Sequence, residues 1–337
     1  VKAANQLQAI AHGADAAQSK LARKALYKLG QQNIHPDEAP PKPADIDQPY
    51  VEQITFYATN VAGNGNQMFI YIAEDRFGGS PHFFSALVHH GKGIQAFGSN
   101  KVARKDIAPS LESLKQNRGG MVAEAPIDYG RFLLAEAVAH TKAAKGIVPK
   151  GFSELIGRVG PPEHDYPEAY IYTLLDAKEI ATDMSVGRDG AKLFDTDFFT
   201  GWLIDLEKVV EWEEKYWDAV KTSLVLEHHQ RLKRGDAVID EAADALLDAT
   251  ELKRLKRRLE EEALVLHLNK ETELAKSALY HALQLDSGKL AHDMEFSRLM
   301  TLRSVHLVMA LKAEQEGEPE EETEPEEPET PSLIIPG

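Results

Sequence analysis

The stretch Glu251–Leu266, ELKRLKRRLEEEALVL, decides how the rest of this sequence is read. Leu252, Leu255, Leu259, Ala263 and Leu266 recur at i, i+3, i+7, i+11 and i+14, one stripe of a 3.6-residue helix that must be buried against a neighbour. Matching stripes flank it: Leu274, Ala278, Ala282 and Leu285, then Leu299, Leu302, Val305 and Met309. The run from Phe198 to Leu311 therefore predicts a helical stack, with Asp195, Thr196 or Asp197 as its first N-cap and Gly235-Asp236 as a break between helices. The charges of the opening stretch cover the rest of its circumference. Lys256, Arg257 and Arg258 precede Glu260, Glu261 and Glu262 by four residues, which predicts ion pairs on a solvated helix surface.

Upstream the period changes to two. Ile54, Phe56 and Ala58 alternate with Thr55, Tyr57 and Thr59, and Met68, Ile70 and Ile72 with Phe69, Tyr71 and Ala73. Further strands are expected at His82–His90 and Gly93–Phe97, joined by Gly-rich turns at 62–66, 77–81 and 91–93. The economical reading is an antiparallel meander of about four strands, with a helix over Ala103–Gln116 able to cover one face. Ile127–Lys145 then reads as a helix with a stripe of Leu133, Leu134, Ala137 and Val138, and a short helix follows at Phe152–Ile156.

The two ends differ in character. Ala3–Ile10 and Ala14–Gln31 read as a helical pair broken at Gly13, and Leu21, Ala25 and Leu29 form the stripe of the second. Five prolines between Pro36 and Pro49 mark a linker. At the other end, ten glutamates and no Lys or Arg fall between Glu314 and Glu329, accounting for most of the formal net charge of −16. Such a segment is expected to be disordered, and the hexad Pro331–Pro336 that follows it has no local core. Leu333, Ile334 and Ile335 therefore read as a tethered binding motif for another protein or a neighbouring subunit. The expected organisation is α+β, mostly α: a helical hairpin (1–34), a linker (35–49), a sheet with one helix (50–118), a helical domain (119–312) and a disordered acidic tail (313–337).

Composition excludes several classes. There is no cysteine, hence no disulfide framework, thiolate zinc site or cysteine nucleophile, and a cytoplasmic location is expected. No apolar run approaches the roughly 20 residues needed to span a bilayer, and Val1–Gly30 lacks the apolar core of a signal peptide. The chain begins at Val1 without an initiating Met, which suggests a preceding segment.

Candidate chemistry is sparse. Glu136 and His140 have the i, i+4 spacing of joint ligands, but one such pair supplies two ligands where a catalytic zinc needs three, so no metal or cofactor is predicted. His89 and His90, adjacent on a strand, point to opposite faces. His228 and His229 sit near an apolar helix face, and His281 within one, as packed histidines. Gly91–Ala96 matches G-x-G-x-x-A but leads into a strand, so it reads as a hairpin turn. Glu213, amid Trp202, Leu206, Val209, Val210, Trp217 and Val220, is costly to bury alone, which predicts that its helix bends or surfaces there. Arg231, Lys253, Arg254 and Arg257 are the candidates for nucleic-acid contact, but they do not share one helix face.

The stretches KLARKALYKLGQQNIHP (Lys20–Pro36), IDYGRFLLAEAVAHTKAAKGIVPKGFSELIG (Ile127–Gly157) and ELKRLKRRLEEEALVLHLNKETELAKSALYHALQL (Glu251–Leu285), with PSLIIP (Pro331–Pro336), resemble uncharacterised bacterial proteins that pair a HEAT-like hairpin with a small sheet and a helical C-terminal half. The third also resembles a single tetratricopeptide-type hairpin. These resemblances imply fold and import no activity. The expected function is a non-catalytic protein-binding or scaffolding module. One alternative is a hydrolase-type enzyme with a site between sheet and helices, drawing on Glu136, His140, Glu213 or His89; the other is a nucleic-acid-associated factor.

Overall fold

The chain divides at Val51 into units of residues 1–51 and 52–337. A computed structural model describes residues 16–31, 53–74, 79–116, 120–187, 190–221 and 228–317. In the first unit the described residues form one helix, α1 (Ala16–Gly30). It is the second helix of the expected hairpin, although Leu21 of the expected stripe is exposed and Ala22 is buried. The first helix of that hairpin, the Pro-rich linker and the tail beyond Gly317 lie outside the described residues.

In the second unit, period-two alternation produces strands where the sequence predicts them. β1 (Ile54–Thr59), β2 (Asn66–Ala73), β3 (His82–His89) and β4 (Gly93–Lys101) form an antiparallel meander. A fifth strand, β5 (Val122–Ala125), pairs antiparallel with β1, giving the order β4-β3-β2-β1-β5. Four strands were expected because four residues carry too little alternation to register. Phe56, Ala58, Phe69, Tyr71, Phe84 and Ala86 occupy one buried face.

The helix expected to cover that face forms as α2 (Arg104–Gln116) but buries none of its residues. The cover is α3 (Ile127–Ala143), whose Gly130 lets the backbone approach the sheet. A Cβ there would stand 2.5 Å from Phe56 Cγ, and the Gly130 carbonyl accepts from Tyr71 Oη at 2.7 Å. Phe152 of α4 (Phe152–Val159) packs edge-on against Phe97 of β4.

The helical stack follows: α5 (Ala177–Thr182), α6 (Met184–Gly187), α7 (Gly190–Phe194), α8 (Leu206–Lys221), α9 (His228–Leu246), α10 (Ala249–Leu268), α11 (Thr272–Gln284) and α12 (Glu295–Gly317). Four of the five residues of the deciding stripe lie where predicted, and Leu252, at its start, is half-buried. Leu255, Leu259, Ala263 and Leu266 are fully buried against α11 and the sheet side, each leucine contributing roughly 1.5–3 kcal/mol.

Two helix boundaries differ from expectation. The helix expected from Phe198 begins at Leu206 as α8, because 195–201 form turns that send Phe199 and Trp202 into an aromatic nest with Phe194 and Phe296. Helix α9 runs unbroken through Gly235, whose missing side chain admits α8: a Cβ there would meet Tyr216 at 2.9 Å and Val220 at 3.0 Å. Among the described residues no helix is long and apolar enough to cross a membrane.

Glycine substitutions test this packing. Gly63, in the β1–β2 loop, faces the chain at Gly201, and a Cβ would stand 1.5 Å from the Gly201 carbonyl oxygen. Gly63→Ala should therefore destabilise by about 3 kcal/mol or more in urea unfolding. Gly157, within α4 and with nothing within 4 Å of its added Cβ, should instead give about 0.5–1 kcal/mol of stabilisation on Gly157→Ala. Equal effects at the two sites would contradict the packing described.

Candidate functional site

The surroundings of α10 change along its length. At its start the Asp248 carboxylate caps the helix, accepting from Thr250 N at 2.8 Å and Glu251 N at 2.9 Å, and Lys253 and Arg254 are exposed. From Leu259 to Leu266 every residue is buried, the three glutamates included. This overturns the expected solvated surface, and the physical reason is that the end of α10 is enclosed on several sides at once.

Each carboxylate meets that enclosure with a different partner. Glu260 accepts from Tyr172 Oη at 2.7 Å. Glu261 accepts from Tyr129 Oη and pairs with Arg257 at 3.2 Å. Glu262 accepts from the Val61 N–H of the β1–β2 loop at 2.6 Å. Arg257 also reaches Glu136 of α3 at 3.2 Å. The i, i+4 pairs therefore exist for Lys256–Glu260 and Arg257–Glu261, at 3.8 and 3.2 Å. Arg258 turns away from Glu262, donates to the Gly63 carbonyl and lies 4.8 Å from the centroid of the Trp202 ring.

Burial raises the pKa of all three carboxyls. It is opposed at Glu260 by the Tyr172 hydrogen bond and Arg257, and at Glu261 by Arg257 and Tyr129. Only the Val61 N–H opposes it at Glu262, which is pushed up to about 8. Arg257, facing Glu261 and Glu136, is held above its ordinary value despite its burial, and Arg258, without such partners, is lowered to about 10 by burial.

Next to this polar node a cavity of about 1060 Å³ opens between α3, α10, the end of α9 and the chain segments at 166–172 and 285–291. Its apolar lining includes Phe132, Leu247, Leu252 and Leu285, and its polar lining includes Glu136, His140, Tyr172, Arg257 and Glu260. His90, in the β3–β4 turn, lines it too. A smaller void of about 30 Å³ lies alongside, bordered by His89, His90, Glu136, His140 and Arg257. It is large enough for about two waters.

The tautomers of the two histidines follow from their neighbours. Gln67 Nε2 donates to the Thr59 carbonyl at 2.8 Å, so its Oε1 is the acceptor facing His90 Nε2 at 3.0 Å. His90 therefore carries its proton on Nε2 and a lone pair on Nδ1. Burial, then Arg257 and Arg258, push its pKa down to about 3. His89 Nδ1 accepts from Gly91 N at 2.9 Å, placing its proton on Nε2, and burial with Lys92, Arg258 and Arg254 nearby lowers its pKa.

The structure thus brings Glu136, His140 and His89 together and adds His90, Arg257 and Tyr172, which the sequence reading did not select as a group. Glu213 belongs elsewhere. It is 5% exposed and paired with Lys312 at 2.6 Å, while Val210 and Trp217, expected on the same apolar face, are exposed, so its helix does not surface at the carboxylate as expected. Lys253, Arg254 and Arg257 line the cleft, and Arg231 of α9 does not. Gly91 opens a hairpin turn, as expected, and His281 is a buried core histidine on α11. His229 is exposed, and Leu333, Ile334 and Ile335 lie outside the described residues. Among the described residues no group of three or more His, Asp or Glu is placed to hold a metal ion. No protein-family model matches the chain, and no curated protein or solved structure was found to be similar to it.

The polar node predicts a pH signature. Glu262, raised from 4.5 to about 8, holds a proton in the folded state that the unfolded chain has released, so its contribution is full below pH 4.5 and is lost as pH rises through 8. Glu262→Gln should flatten that decline by a few kcal/mol, on the order expected for such a shift, as read from urea midpoints between pH 5 and 9. His281, pushed down to about 4 by burial, acts oppositely, its contribution being lost as pH falls from 6.5 towards 4. An alkaline slope unchanged in Glu262→Gln would contradict the assignment.

Proposed function

We propose that this chain is a non-catalytic binding module and that it holds a small molecule in the cleft between α3, α10 and the end of α9. The observation that carries this reading is the fixing of Arg257 between Glu136 and Glu261 at the cleft wall, both at 3.2 Å. A polar group held in place before a ligand arrives costs little ordering on binding. Around it, Tyr172 is fixed on Glu260 and His90 on Gln67, beside the apolar surface of Phe132, Leu247, Leu252 and Leu285. A mostly apolar concavity with a few convergent polar groups is the usual form of a small-molecule site, and about 1060 Å³ stands at the upper end of the size range of such sites.

Native mass spectrometry after incubation with a metabolite extract tests this. A retained mass of small-molecule size should appear on the wild type and fall at least tenfold on Leu252→Trp, which fills the cleft, with a melting temperature within a few degrees. Equal retention by both proteins, or none by either, would contradict it.

Hydrolysis in the same cleft is the second reading, favoured by Glu136, His140 and His89 bordering one small void together with His90. It requires turnover that His140→Ala abolishes; a binding module turns over nothing. For Leu333, Ile334 and Ile335, contact with another protein or a neighbouring subunit is a separate proposal, tested by comparing pull-downs of the full chain with one ending at Leu311.

A further inference from the structure

Positive charge collects where two glycine turns of the sheet meet the exposed start of α10. Gly65, with φ of 85°, ends the β1–β2 connection, and Gly91 opens the β3–β4 turn. His89 Cε1 lies 3.6 Å from where a Cβ would stand on either glycine. Arg258 Nε lies 3.5 Å from that point on Gly65, and Arg254 Nε 3.4 Å from that point on Gly91. Two absent side chains thus let His89, Arg254 and Arg258 come up to the two turns. Lys92, on the same turn, adds to the positive field that these two arginines exert on His89.

The compensating negative charge is slight. Glu251 pairs with Arg254 at 2.6 Å. Arg258 makes no direct ion pair among the described residues and feels only the charge of Glu251: it donates to the Gly63 carbonyl, lies over Trp202, and buries Nε without a hydrogen bond. A guanidinium largely withdrawn from water, with only the Glu251 charge that Arg254 already pairs to offset it, is costly to keep, and an anion supplied from outside would lower that cost. Arg254 joins this cluster to the cleft, because the side chain that approaches Gly91 also lines the cavity.

We propose that Lys92, Arg254 and Arg258 form a phosphate anchor, so that the ligand of the cleft is a phosphorylated small molecule with its phosphate at the glycine turns and its organic body along the cavity. This rests on the cleft reading. Phosphate suits the site better than a single carboxylate, since it offers three acceptor oxygens and close to two charges to cations arriving from two sides. A nucleic-acid strand suits it less, because Arg257, which would extend the basic surface, is turned inward to Glu261 and Glu136.

Inorganic pyrophosphate, titrated calorimetrically into the full chain, isolates the anchor from the cleft. Lys92→Ala removes an exposed cation, and Gly91→Ala puts a methyl at the turn against the Arg254 side chain, 3.4 Å from its Nε; each should weaken binding at least fivefold with the melting temperature unchanged. Leu252→Trp should leave pyrophosphate binding within twofold while it blocks retention of the cleft ligand. Absence of pyrophosphate binding to the wild type, or binding by Lys92→Ala and Gly91→Ala as tight as the wild type's, overturns the anchor and leaves the cleft reading to the Leu252→Trp experiment. A short single-stranded RNA that binds more tightly than pyrophosphate and depends on Lys253 and Arg231 also overturns it, in favour of a nucleic-acid surface.

Discussion

Three consecutive carboxylates cannot leave water on one helix unless each finds its own partner, and this condition fixes where the rest of the second unit must lie. Successive residues of a helix point about 100° apart, so Glu260, Glu261 and Glu262 need partners in three directions. Tyr172 comes from the turn before α5, Tyr129 from α3, and the Val61 N–H from the β1–β2 loop. Arg257 then links Glu261 to Glu136 on α3. A single helix thereby ties the sheet, its covering helix and the helical stack to one another, which hydrophobic stripes, being non-directional, could not do with the same specificity.

The cleft follows from the same arrangement. Arg257 and Glu136 tie the middle of α10 to the middle of α3, and Leu252, Leu247, Leu285 and Phe132 line the cleft beside that pair. The glycine turns at the sheet end depend on it as well. Glu262 holds Val61 and Arg258 holds Gly63, so the β1–β2 loop is clamped next to the turn that carries His89 and Lys92. The proposed anchor and the proposed cleft are therefore two sides of one rigid element.

Much of the fold was legible because it rests on periodicity. The strands at 54–59 and 66–73, most of the stripe of α10, and Ala278 and Ala282 of α11 all follow from apolar spacing. What escaped was decided by neighbours distant in sequence. Gly235 looked like a break and is the place where α8 comes close; Glu213 looked like a surfacing residue and is matched by Lys312, which is 99 positions away. The site was less legible still. The run Ala263-Leu264-Val265-Leu266, apolar on every side, carries the available signal, because a helix enclosed all round at those positions leaves no solvent for the glutamates immediately before it. No spacing rule could have shown that Arg257 would face inward while Lys253 stays exposed.

The central claim is that the Arg257–Glu261 pair is a structural tie and not a surface pair. A double-mutant cycle of Arg257→Met and Glu261→Gln, followed by urea unfolding, measures this directly. The account predicts a coupling energy of about 1–3 kcal/mol, the scale of residues sharing one buried network. Additivity of the two substitutions, within about 0.3 kcal/mol, would contradict it.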